Sequence, residues 1–222
     1  MQPIHTAWLV FLIPLLVVNA SWVWSSVAGA IEWCLPYWSG CVSISKAARS
    51  SDALFLFRAA MILNAALLMH FWLHSWQFLL LHQRRVQSVP VLGITAALFL
   101  ILYANFLGTQ GKVYQLLRQY GVTIYFAFTV LAQMIFTRHL LQLGLLKIQR
   151  LVRWEFYLCG WLLALGIISI FCNTLLTGEP KDRWENIIEW HFALGMNLYF
   201  LLTALIWKQL GFYHTPAQQH RH

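Results

Sequence analysis

Trp33-Cys34-Leu35-Pro36-Tyr37-Trp38-Ser39-Gly40-Cys41-Val42-Ser43-Ile44-Ser45-Lys46 is the stretch of this chain that hydrophobicity alone does not explain. It is polar, punctuated by Pro36 and Gly40, and flanked on both sides by apolar runs long enough to cross a bilayer. That pattern reads as a structured loop between two membrane helices. The fold class follows: an all-α, polytopic membrane protein whose remaining helices form the bundle that carries this loop.

Composition agrees. With 60% hydrophobic residues, 10% charged residues and a mean hydropathy of +0.63 over 222 positions, the chain holds more apolar surface than one soluble core of that size can cover. Six apolar windows stand out, at about 9–27, 54–81, 89–107, 122–143, 156–176 and 187–207, with a structured loop over 31–53. Each must be helical, because a segment in hydrocarbon has to satisfy its own backbone. Short connections make sequence neighbours antiparallel neighbours, and no repeat or linker divides the chain, so residues 1–222 read as one membrane domain. The first window resembles a signal peptide ending at Ala28-Gly29-Ala30, but no Lys or Arg precedes it and its apolar run exceeds a signal core. Pro14 is expected to kink that helix.

The net charge of +8 reads as topology. Runs of like charge are short and no soluble domain presents a basic groove, so nucleic acid is not an expected partner. With six spans, Arg84, Arg85, Arg138, Lys147, Arg150, Arg153, Lys208 and Arg221 share the side of the termini, and Lys46, Arg49, Lys112, Arg118, Lys181 and Arg183 lie opposite. The basic loop from Arg138 to Arg153 places both termini in the cytoplasm, in a plasma or inner membrane. Cys34 and Cys41 then face an oxidising compartment, where Pro36 and Gly40 let the chain turn back and a disulfide is expected. Cys159 and Cys172 read as small packing residues.

Polar groups inside the membrane are the internal pointers to function. His70, His74 and Gln77 share one helix face that should look into the bundle, as neutral groups hydrogen-bonded to neighbours. A haem or metal site would need a further ligand such as His139 at matching depth. Arg58 and Glu189 enter their helices at similar depth and are expected to pair. Glu185, Glu189, Asn197 and Thr203 repeat along the sixth helix, beside Asn186. Thr129, Gln133 and Thr137 do so along the fourth, and Gly166, Ser169 and Asn173 along the fifth. Such spacing makes helix contacts, and together these faces can line a polar crevice. There is no nucleophile elbow, phosphate loop or dinucleotide fingerprint, no resident cofactor is expected, and the tail His220-Arg221-His222 reads as a short disordered end.

The order of features resembles a known family. Six spans, Pro36-Tyr37-Trp38-Ser39 in the first outer loop, Arg84-Arg85 in a tight inner loop, Gly121 followed by Tyr125-Phe126, and Glu189-Trp190 look like the Frag/DRAM/Sfk family. That family groups the FGF-receptor-activating protein, the damage-regulated autophagy modulators, a yeast suppressor of a phosphatidylinositol kinase defect and a Golgi factor for GPI-anchor remodelling. Gly40 and Cys41 stand where the resemblance leads one to expect an acid and the residue after it. The resemblance implies a multi-pass protein that binds or organises membrane lipids or lipid-modified partners. The leading expectation is therefore non-catalytic. Arg58 would meet a lipid phosphate, Glu189 would hold Arg58, His191 would share their crevice, and Trp33, Tyr37 and Trp38 would sit among headgroups. Two alternatives stand beside it: a lipid-modifying enzyme using His191 or His70 as general base, and a haem- or metal-binding electron-transfer subunit using His70 and His74 with His139. A purely structural partner of another membrane protein is a further one.

Overall fold

The computed structural model describes residues 1–213; the His220-Arg221-His222 tail lies outside them. Six helices are long and apolar enough to span a membrane: α1 (Pro3–Val27), α4 (Ala53–Leu81), α5 (Ser88–Phe106), α6 (Lys112–Leu143), α7 (Gln149–Leu175, entered through a 3-10 turn at Leu146–Ile148) and α8 (Glu179–Leu210). Two short helices, α2 (Pro36–Ser39) and α3 (Ile44–Arg49), shape the first long loop. Consecutive spans pack side by side, and α8 returns against α1, so the six form a closed ring in chain order. The all-α, six-span architecture is as the hydropathy pattern requires, and an even number of spans puts both ends of the bundle on one side.

The expected windows are clearly shorter than four of the helices. α1 begins at Pro3 instead of 9, α6 at Lys112 instead of 122, α7 at Gln149 instead of 156, and α8 at Glu179 instead of 187. Hydropathy reports where hydrocarbon lies, whereas a helix continues into polar territory wherever its backbone bonds and side-chain contacts are kept. The extra turns of α6 and α8 at the disulfide end carry Gln115, Arg118, Gln119 and Glu185, all turned to one cleft. α1 runs unbroken through Pro14 and packs on α4 and α8, as part of the bundle.

At the end that carries the termini the interior is aromatic. Phe71 lies edge-on to Phe200 at 4.9 Å and to Trp72 at 5.0 Å, and tilts against Trp207 at 5.1 Å. These rings join α4 to α8 across the ring of helices, where dispersion contacts rather than a hydrophobic driving force hold membrane helices together. The seam between α6 and α7 is thinner. The buried residues of α7 are Val152, Glu155, Cys159, Leu162 and Leu165, and from Gly166 onward the helix leaves the bundle. A methyl placed on Gly166 would meet nothing within 4 Å.

The disulfide joins Cys34 to Cys41, with their Cα atoms 6.6 Å apart. The loop it closes lies on the first turns of α8. Asn186 Nδ2 donates to the Gly40 carbonyl at 2.8 Å and Trp190 Nε1 donates to the Val42 carbonyl at 2.8 Å. The Tyr37 ring packs edge-on to Trp190 at 4.9 Å, and its hydroxyl donates to Asn19 Oδ1 at 3.2 Å. Burial raises the Tyr37 phenol pKa above its ordinary value, with the Asn19 bond partly opposing, so the hydroxyl stays a donor at neutral pH. Ser25 of α1 donates to the Ala47 carbonyl at 2.7 Å, fixing α3 from the other side.

Candidate functional site

Beneath α3, the splayed upper halves of α6, α7 and α8 leave a cleft of about 540 Å³. Its polar lining is dense for a membrane protein. Arg49 comes from α3, Arg118, Gln115, Gln119 and Thr123 from α6, Ser169 and Asn173 from α7, and Glu185 and Glu189 from α8, with Tyr103 of α5 at the floor. The elements explain the convergence. Arg118, Gln119, Val122, Thr123 and Phe126 fall on one face of α6 at helical spacing, and Gly166, Ser169 and Asn173 on one face of α7. Glu189, Arg49 and Arg118 lie near enough to act electrostatically on Tyr103.

Two positive and two negative groups thus meet in one cavity, each held differently. Arg118 Nη1 donates to the carbonyls of Phe106 and Thr109 at the end of α5, a site where the helix dipole favours a cation. Arg49 has no carboxylate within 4.0 Å among the described residues, whose one salt bridge is Lys181 Nζ to Glu185 Oε1 at 3.7 Å. The Glu189 carboxylate faces the backbone amides of Ile44 and Ser45 at the start of α3. The expected pairing of Arg58 with Glu189 is therefore corrected. Arg58 turns toward α5, where Nε donates to the Leu107 carbonyl at 3.0 Å, Nη2 donates to the same oxygen, and Nη2 reaches Thr109 Oγ1 at 3.3 Å. Carbonyls at a helix end outcompete a carboxylate on a distant element because they lie within the reach of one side chain. Arg58→Leu is expected to cost about 2 kcal/mol by leaving charge-assisted acceptors unmet, seen as a lower melting midpoint in micelles with bound lipid unchanged.

The other expected residues are dispersed. His191 packs edge-on to Tyr37 at 5.9 Å and Trp38 at 6.3 Å, under the loop and outside the cleft. Trp33 and Trp38 are 64% and 72% exposed, whereas Tyr37 turns inward against Trp190. The face of α4 expected to look into the bundle does so only in part. His74 is buried, with Nδ1 3.3 Å from Gln77 Oε1, but His70 is exposed and bonds the Ala66 carbonyl of its own helix at 2.9 Å. Among the described residues no three His, Cys, Asp or Glu side chains gather closely enough to hold a metal.

One carboxylate escaped the sequence reading altogether. Glu155 is fully buried where α6, α7 and α8 meet. Thr203 Oγ1 donates to its Oε1 at 2.8 Å, and Thr137 Oγ1 lies 3.5 Å from its Oε2. Thr137 is 2.9 Å from the Tyr199 hydroxyl, which lies 3.0 Å from the Gln133 carbonyl. Thr129, Gln133 and Thr137 thus serve as helix contacts, not cleft lining, as does Thr203. The hydropathy window began one residue later, at Phe156, so Glu155 was left in a basic loop. The spacing Glu155, Cys159, Leu162 places it on the buried face of a helix that starts earlier.

No protein-family model, curated protein or solved structure matches this chain.

Proposed function

We propose that the cleft binds the head group of a membrane phospholipid, entered sideways between the upper halves of α6, α7 and α8. The observation that carries this reading is the cleft itself: guanidiniums of Arg49 and Arg118 and carboxylates of Glu185 and Glu189 in one cavity beside a helix that leaves the bundle above Leu165. Charged groups facing a membrane-embedded cavity mark a ligand path more often than a structural contact. The guanidiniums suit a phosphate and the carboxylates suit an amine, so a zwitterionic head group fits the set best. Acyl chains would stay in the bilayer along the apolar flank of α7, where Ile170 and Phe171 are exposed.

This reading keeps the protein a non-catalytic lipid binder or organiser and moves its contacts from Arg58 and His191 to Arg49 and Arg118. Motif similarity to the Frag/DRAM/Sfk family supports it, and membership in that family is proposed with it. In this arrangement the termini are cytoplasmic and the cleft opens to the outer leaflet of a plasma or inner membrane, consistent with the basic loop between α6 and α7 and with the disulfide at the opposite end.

Arg49 is the side chain to remove, since its guanidinium holds no carboxylate partner whose loss would disturb the fold. Phospholipid retained through purification in mild detergent is measured by mass spectrometry for wild type, Arg49→Gln and the neighbouring Lys46→Gln. Losing one charge-assisted contact should lower retained phospholipid about tenfold in Arg49→Gln, with Lys46→Gln like wild type. Equal retention in all three removes the proposed site.

A further inference from the structure

We infer that Glu155 is a proton-binding site in the membrane interior, connected to the outer cleft along the polar face of α6. The inference rests on the Glu155 surroundings and not on the lipid reading. A carboxyl with no exposed surface, at the junction of three membrane helices, must be paired, coordinate a cation or hold a proton. Pairing is absent among the described residues, where no Lys, Arg or His nitrogen lies within 4.0 Å of its carboxyl and the one salt bridge is Lys181 to Glu185. From α6 it meets Thr137. Arg138, next in sequence, is exposed and lines a mostly apolar pocket between α6 and α7 with Thr137 and Cys159, without an ion pair to Glu155, and His139 lies toward Arg84. From α8 it meets Thr203, with the Tyr199 phenol beside them. On its own helix Cys159 faces the same cluster, 3.9 Å from Thr137, while Arg153 is exposed. A cation is disfavoured by the supply of ligands, since Thr203 is already bonded to Oε1 at 2.8 Å and, among the described residues, no further His, Cys, Asp or Glu side chains gather with Glu155 in a set that could hold an ion. A proton needs no such space.

The connection is read from α6. The face that lines the cleft with Gln119, Thr123 and Phe126 continues one turn at a time through Thr129 and Gln133 to Thr137. On that path Thr129 Oγ1 and Gln133 Oε1 are buried without a hydrogen-bond partner, which is costly unless water or a moving proton uses them. The Phe126 and Phe192 rings, 5.4 Å apart, stand between the cleft and this column. Because Glu155 is the charged member of the few buried residues that hold α7, its proton also neutralises the seam that positions the cleft's α7 wall.

Infrared spectroscopy of the full chain in lipid vesicles tests this. The spectrum of wild type minus Glu155→Gln at neutral pH should contain one protonated-carboxyl C=O band, and that band should shift to lower frequency in deuterium oxide as the proton exchanges along the column. A carboxylate band in its place, whether or not it responds to sodium, overturns the proton site. An acid band that does not shift in deuterium oxide overturns the connection to water. Should Glu155→Gln fail to fold, Thr203→Val keeps the carboxyl and removes one hydrogen bond, so wild type minus Thr203→Val must show the acid band displaced; an unchanged acid region overturns the assignment.

Discussion

Gly93→Ala is expected to destabilise the bundle by about 3 kcal/mol, the upper range for forcing atoms into a packed interior. A methyl on Gly93 of α5 would lie 2.1 Å from Cγ, 2.2 Å from Cδ1 and 2.4 Å from Cδ2 of Trp72 on α4. These are the root atoms of the indole, so rotating the ring tip does not relieve the clash. Nor has the ring anywhere to go: Trp72 is fully buried, with Phe71 at 5.0 Å and Phe200 at 6.3 Å. The remaining response is to push α5 from α4, which forfeits contacts along the whole seam. The measurement is the fraction of folded protein after heating in micelles, read by size exclusion. Gly160→Ala is the control, because a methyl there meets nothing within 4 Å. Trp72→Ala in the Gly93→Ala background should recover part of the loss, a coupling that only direct contact produces. Equal melting of Gly93→Ala and wild type would mean that the two helices do not approach as described.

What the sequence made legible follows from which physics is local. Whether a segment crosses hydrocarbon depends on its own composition, so the six spans and their chain-order packing were readable, as was the bridge between Cys34 and Cys41 from its short, turn-bearing spacer. Partner choice is not local. Arg58 and Glu189 sit at similar depth, yet Arg58 chooses the end of α5 and Glu189 the start of α3, because both attractors are backbone groups that carry no residue signature. Helix phase was partly readable. The face Gly166, Ser169, Asn173 does line the cleft, while His70, assigned to an interior face, is exposed on the outside of its helix and bonds the Ala66 carbonyl. Glu155 was lost to a window edge, since a charged residue between Trp154 and Phe156 ends a hydropathy segment whether it is solvated or buried against hydroxyls.

Gly40→Ala should detach the disulfide loop while leaving the bundle folded, and it separates the loop's contribution from the helices' own. Gly40 has φ +62°, a left-handed conformation that costs a side-chain-bearing residue about 1–2 kcal/mol. The larger cost is steric. Its new methyl would lie 2.1 Å from the carbonyl oxygen of Arg183, a backbone atom in the first turns of α8 that cannot swing aside. The loop must lift, and lifting is cooperative: Arg183, Asn186 and Trp190 form one strip of α8, so relief at Gly40 also breaks the Asn186 and Trp190 hydrogen bonds. Together these exceed the roughly 1 kcal/mol that any single neutral hydrogen bond contributes. Hydrogen exchange should then rise across residues 33–46 with α4 and α5 unchanged, and the melting midpoint of the bundle should move little. Because α3 supplies Arg49 and the amides that face Glu189, retained phospholipid should fall as far as in Arg49→Gln. Loop release with full retention would show that the cleft holds its ligand without α3, and would move the phosphate contact to Arg118 alone.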